Sequence, residues 1–135
     1  MNIFRRLFNL SDKTTIDISV FEHIELAKPK YVDTLKNIET ILRQNDLLGH
    51  ANFIEDIILK LDSNNYETFI KQMNSVNMWG GAGAVWEVYI EGVDMQQKFQ
   101  TAIIELINIM EETKILGRGI KPLRNLFQKE LSRSV

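Results

Sequence analysis

Residues 95–114 read MQQKFQTAIIELINIMEETK, and this stretch decides the fold. Its apolar side chains recur every three to four residues: Phe99, Ala102, Ile103, Leu106, Ile107 and Met110. That spacing places them on one broad face of an amphipathic helix. We predict a central core helix over residues 95–114, capped by Asp94 at its start and terminated by Gly117 and Gly119.

The flanking stretches repeat the same period. It predicts helices over residues 29–44, 50–61 and 66–73, and a last short helix from Pro122 that carries Leu123, Leu126, Phe127 and Leu131. Pro29 suits the first turn of a helix, because its missing N–H would have no partner there anyway. The residues 62–65, DSNN, end the second of these helices and offer N-caps for the third.

Three segments are less regular. Residues 14–20 favour β-branched side chains, which indicates extended chain or a short strand. Ile3, Phe4, Leu7 and Phe8 form the apolar stripe of a short helix, which we expect to pack on the domain and not on a membrane. Residues 84–90 are compatible with helix or strand. The sequence therefore predicts a mainly α protein, a single compact helical domain of five to six helices over residues 1–135.

Composition limits the class of protein. The chain has 135 residues, of which 44% are hydrophobic and 25% charged, as in an ordinary globular domain. It contains no cysteine, which excludes disulfides, zinc–thiolate sites and iron–sulfur clusters. Residues 1–10 lack the apolar core and cleavage site of a signal peptide, and no stretch approaches the roughly 18 apolar residues of a membrane span. We expect a cytoplasmic protein.

Charge is distributed unevenly along the chain, although the net charge is only −2. Residues 11–112 hold eight Lys or Arg against seventeen Asp or Glu, whereas residues 113–135 hold six basic residues against Glu130 alone. The body is therefore acidic and both ends are basic. An acidic body argues against nucleic acid as the main ligand and favours a basic protein partner.

Catalytic residues are scarce. His23 and His50 stand in unrelated contexts, and neither begins a metal-binding motif such as H-E-x-x-H. Two acidic pairs, residues 55–56 and 111–112, are adjacent in sequence, so on a helix their members point about 100° apart. We read them as solvated faces and not as a carboxylate dyad. We predict no enzymatic activity, no cofactor and no metal.

The conspicuous break is Met78-Trp79-Gly80-Gly81-Ala82-Gly83. A glycine turn before a helix can bind phosphate, but no lysine follows and Glu87 and Glu91 would repel an anion. Two other interpretations stay open: a tight turn that lets the tryptophans pack closely, or a loop that faces a partner. The candidate partner-binding residues are Trp79, Gly80, Gly81, Gly83, Trp86, Glu87 and Glu91.

Gly80-Gly81-Ala82-Gly83, followed by Val85-Trp86-Glu87 and preceded by two helical patterns, resembles the mark of a family of small uncharacterised bacterial proteins. That mark is a G-G-x-G-[ST]-hydrophobic turn between helices, and the resemblance covers residues 35–114. Ala84 stands where the family often has a hydroxyl residue, so any role of that hydroxyl is missing here. Members look like the small accessory proteins found beside bacterial toxins, which implies an immunity role.

These observations lead to one functional hypothesis and its alternatives. We expect an immunity protein that binds a cognate, basic protein toxin and blocks its active site or substrate channel, with no role for nucleic acid or membrane. Aromatic anchors in a charged surround are what a tight interface needs. A small-molecule-binding, regulatory or catalytic domain that uses the glycine turn, and a scaffold subunit of a larger assembly, are the alternatives. The oligomeric state is left open.

Overall fold

The helical periods of the sequence appear as helices in a computed structural model that describes residues 18–133. Its elements are α1 (Ile18–Gln44), α2 (Leu48–Asp62), α3 (Tyr66–Met73), α4 (Val76–Trp79), a 3₁₀ turn (Val85–Glu87), α5 (Val93–Glu112) and α6 (Lys121–Arg133). The described residues contain no strand. The prediction of a mainly α fold with helices in a compact arrangement is confirmed.

Helix α1 is the centre of the arrangement, because it packs against both α2 and α5. Its buried face repeats at helical spacing through Ile24, Tyr31, Leu35, Ile38 and Leu42, each fully buried. Helix α6 packs against α5. The buried side chains of all these helices belong to one hydrophobic cluster, so burial of the apolar stripes on neighbouring helices drives assembly.

The start of α1 differs from the prediction. The helix begins at Ile18 and Pro29 lies inside it, eleven residues further on. Residues 18–20 are therefore helical and not extended; residues 14–17 and the predicted helix of residues 3–10 lie outside the described residues. Proline costs a helix one hydrogen bond. Ile24 and Ala27 extend the buried stripe on the N-terminal side of Pro29, and their packing offsets that cost.

The central helix is confirmed over most of its predicted length. All six residues of its predicted apolar face are at most 1% exposed. Asp94 is not the N-cap, however: Gly92 takes that position with φ of 91°, and Asp94 lies in the first turn. The helix ends at Glu112, because Thr113 caps it and Lys114 turns into the left-handed region at φ of 64°. It therefore ends before Gly117 and Gly119.

The remaining junctions follow local capping rules. Asn65 caps α3, as its side chain accepts a hydrogen bond from the backbone N–H of Thr68 at 3.4 Å. Helix α6 begins at Lys121, one residue before Pro122, and only Phe127 of its predicted apolar face is buried. None of the helices within residues 18–133 combines the length and the apolar character that crossing a membrane requires.

Candidate protein-binding site at the glycine turn

Two positions of the glycine turn require glycine for different reasons: Gly80 because of close packing and Gly83 because of its backbone angle. A Cβ atom on Gly80 would lie 2.7 Å from the carbonyl oxygen and 2.9 Å from the Cβ of Val76, closer than atoms can approach. Gly83 has φ of 90°, which side-chain-bearing residues adopt rarely. Gly81 has neither constraint, since its Cβ would meet open space. The turn is closed by the N–H of Ala84, which donates to Gly81 at 3.1 Å.

Both tryptophans are half-buried, and the indole N–H of each donates to a backbone carbonyl. The Nε1 of Trp79 donates to the carbonyl of Met73 at 2.6 Å, and the Nε1 of Trp86 donates to the carbonyl of Gly80 at 3.2 Å. The Trp86 ring also packs on Phe127 of α6, with 5.9 Å between ring centroids. Because the polar atom of each indole is satisfied inside the fold, this geometry favours the tight-turn interpretation for the two tryptophans.

A hydrogen bond from His50 connects the turn to the first part of α2. The Nε2 of His50 lies 2.8 Å from the carbonyl oxygen of Gly83. A carbonyl can only accept, so this nitrogen carries the proton and the histidine serves as a structural donor. Among residues 18–133, no three histidine, cysteine or carboxylate side chains lie close enough to hold a metal ion.

The exposed part of the segment follows the turn. Glu87 and Glu91 are exposed, and between them Tyr89 is 78% exposed, with Val93 beyond at 71%. Tyr89 was not among the predicted site residues. It lies in the apolar run of residues 84–90, where the sequence pattern does not show which side chains are exposed. The signal that could have found it is alternation, since Ile90 beside it is 1% exposed.

A groove of about 530 Å³ lies beside Tyr89. Its lining is Tyr89, Ile90, Gly92, Val93, Gln96, Gln97, Gln100, Glu130 and Arg133. Gln96 fixes the loop to α5, as its Oε1 accepts from the N–H of Ile90 at 3.0 Å. Gln100 is buried and its Nε2 donates to Glu130 of α6 at 2.7 Å. The wall of the groove is thereby held in place by side-chain hydrogen bonds between three elements.

Three exposed carboxylates are close to Tyr89 and Val93 along the chain. Glu87, Glu91 and Asp94 make no ion pair with any residue in the described part of the chain. Glu111 of α5 behaves differently, because hydrogen bonds from Arg124 and from Lys121 lower the pKa of its carboxyl. The acidic groups near Tyr89 are thus available to an external cation.

The predicted site residues therefore divide into two groups. Trp79, Gly80, Gly81, Gly83 and Trp86 build the turn, with Gly81 exposed at its tip. Glu87 and Glu91 flank Tyr89 on the following segment.

No family model, curated protein or solved structure matches this chain, so its resemblance to the bacterial family with the glycine turn stays a prediction.

Proposed function

We propose that this chain is an immunity protein, which binds a basic protein toxin and covers its active site. The contact surface is the Tyr89 face, defined as Glu87, Tyr89, Glu91, Val93 and Asp94. One observation carries the proposal: the two large apolar side chains of residues 87–94 are 78% and 71% exposed, and the three exposed carboxylates of the same stretch have no ion-pair partner in residues 18–133.

The chemistry of the Tyr89 face fits a protein surface better than a small metabolite. Tyrosine is enriched among residues that dominate binding energy, because it buries a large apolar area and still offers a hydroxyl. Carboxylates at the rim contribute mainly to the rate of association with a basic partner and to its selection. A positively charged toxin surface supplies both requirements, an apolar pocket for Tyr89 and cations for the rim.

The glycine turn has a supporting role in this proposal. Trp79, Gly80 and Trp86 hold the backbone that leads into the Tyr89 face, through the two indole hydrogen bonds and the close approach to Val76. We therefore assign the contacts to Tyr89, Glu87 and Glu91, and the positioning to the turn.

The test is the affinity of matched variants for a partner purified from the native cell and identified by mass spectrometry. We expect Tyr89→Ala to weaken binding by about 2 kcal/mol or more, roughly thirtyfold, without lowering the melting temperature. Leu59→Ala is the control, because Leu59 is also exposed, at 58%, but lies on α2. Reversing Glu87 and Glu91 to lysine should slow association, and the difference should shrink at high salt.

The variant Trp86→Ala tests whether Trp86 contacts the partner itself or positions the backbone of the Tyr89 face. The Trp86 ring packs on the core cluster, so we expect a clear loss of thermal stability. Unchanged affinity of Tyr89→Ala, or the absence of any stoichiometric protein partner, would contradict the proposed function.

A further inference from the structure

A second surface runs between α1 and α5, away from the glycine turn. Two depressions of about 420 and 340 Å³ lie along this helix pair and share Glu105. We call them together the α1/α5 furrow. It is lined by Lys30, Asp33, Thr34 and Asn37 of α1, and on α5 by side chains that begin at Asp94 and end at Glu112. At 1.5 Å per residue this length of α5 spans about 27 Å, whereas the lining residues of α1 span about 10 Å, or two turns of a helix.

The buried residues of the furrow are two apolar side chains and one polar one, and four further polar residues line it: Asn37, Gln97, Thr101 and Asn108. Ala102 and Ile109 of α5 are 1% and 5% exposed. Thr34 of α1 is 7% exposed and lines the furrow, yet its hydroxyl makes no hydrogen bond with another residue of the described chain. The hydroxyl oxygen is not itself fully buried, so it reaches the surface of the furrow. The hydroxyl of Thr34 is therefore placed to bond a polar group that enters from outside.

The rim of the furrow is acidic. Asp33, Asp94 and Glu105 are exposed and have no ion-pair partner within residues 18–133. Lys30 and Glu112 pair with each other at 3.1 Å, so their charges cancel. Lys98 is the remaining cation of the lining, which leaves an excess of negative charge along both edges.

We propose that the α1/α5 furrow binds an amphipathic, basic α-helix of a partner protein. Small apolar side chains of that helix pack on Ala102 and Ile109, and its lysines or arginines pair with Asp33 and Glu105. A trough between two helices accepts a third at an axial distance of about 8–10 Å, which is the helix-in-groove mode of recognition. The acidic edges select a basic helix over an acidic one.

Gln97 lines both the furrow and the groove beside Tyr89, and Asp94 belongs both to the Tyr89 face and to the furrow, so one partner can contact both surfaces. Only the identification of that partner with a toxin rests on the proposed function. The proposal that the furrow binds a basic helix depends only on Thr34, on the apolar side chains of Ala102 and Ile109 and on the carboxylates.

The test uses a designed 18-residue helical peptide with Ala and Leu on one face, flanked by Lys and Arg, and a matched peptide that carries Glu at every basic position. Each is labelled with fluorescein and titrated against the full chain by anisotropy. We expect saturable binding of the basic peptide alone, with amide NMR shifts at Ala102 and Ile109. Asp33→Lys combined with Glu105→Lys should weaken it at least about tenfold and favour the acidic peptide.

Two further variants separate the furrow from general electrostatics. Thr34→Val preserves side-chain shape and should weaken the basic peptide about threefold or more. Asp62→Lys is the charge control, because Asp62 is an exposed residue of α2 that does not line the furrow, and should have under half the effect of a furrow reversal. No saturable binding, or equal losses from Asp62→Lys and Glu105→Lys, would overturn the inference. Tyr89 is intact throughout, so this result is independent of the Tyr89→Ala experiment.

Discussion

Gly80 and Gly81 are neighbours whose requirements are opposite. Gly80 lies against Val76, where an added methyl group has no room, whereas Gly81 faces open space. The sequence GGAG presents these glycines as equivalent, since residue type alone does not reveal what lies near each Cα. The structure thus shows which positions of the motif require glycine, whereas the sequence allows the motif to be interpreted only as a unit.

We predict that Gly80→Ala lowers the free energy of unfolding by about 1–3 kcal/mol, because the new methyl group forces α4 and the turn apart. Gly81→Ala is the matched variant and should be neutral or stabilise by up to about 1 kcal/mol, because it restricts the unfolded chain without a clash. Urea denaturation of both variants measures the difference. Equal effects at the two positions would show that the contact with Val76 is not maintained in solution.

The tryptophans and Tyr89 show where residue-level prediction ends. Aromatic residues beside a glycine turn are candidates for either packing or contact, and composition does not decide between them. Trp79 and Trp86 find acceptors in the carbonyls of Met73 and Gly80, six residues before each. Tyr89 protrudes instead, because Val85 and Ile90 supply the buried anchors of that segment. Only the folded path of the backbone separates these cases.

At the scale of elements, apolar periodicity predicted the helices whose interiors are well patterned. The six apolar residues of α5 and the span of α3 followed directly from spacing. The start of α1 did not, because Pro29 satisfies the rule for a first helical turn while tertiary packing continues the helix through it. The cap of α5 was missed for a similar reason, as Asp94 is a good local cap but Gly92 supplies the necessary backbone angle.

Leu106 tests the packing of α5 on the rest of the molecule. It is fully buried at the middle of the longest apolar face, so Leu106→Ala should cost about 2–5 kcal/mol through lost burial and the cavity left behind. Leu59→Ala removes the same atoms from a side chain that is 58% exposed and should cost about 1 kcal/mol or less. Chemical denaturation gives both values. A cost below about 1 kcal/mol for Leu106→Ala would place this residue outside the core.

At the scale of the whole molecule, two solvent-accessible carboxylates bind side chains of neighbouring elements. Hydrogen bonds from Gln72 of α3 and Lys60 lower the pKa of Asp56 on α2, and those from Arg124 and Lys121 of α6 lower that of Glu111. The acidic body, from which we expected a basic partner, and the basic C-terminal segment are therefore joined in the fold itself. That contact lay beyond sequence reasoning, because it depends on α6 returning along α5.

These pairs predict loss of stability in acid. The folded chain keeps Asp56 and Glu111 ionised at a pH where the unfolded chain has already bound protons, so their contribution is complete near neutral pH. It decreases as the pH falls below the ordinary carboxylate range, about 4, toward the lowered pKa values. Melting curves from neutral to acidic pH should show this decrease. Glu111→Gln and Asp56→Asn should reduce its slope, and an unaltered slope would mean that other carboxylates control acid unfolding.

The location of the two tryptophans also has a consequence for fluorescence measurements. The chain contains two tryptophans, and both lie in the short segment that presents the Tyr89 face. Selectively excited tryptophan emission therefore reports the environment of this segment, while far-ultraviolet circular dichroism reports the helices. If the two signals change together on heating, the turn opens only when the whole fold unfolds. Any separation of their midpoints measures a local opening equilibrium of the proposed binding surface.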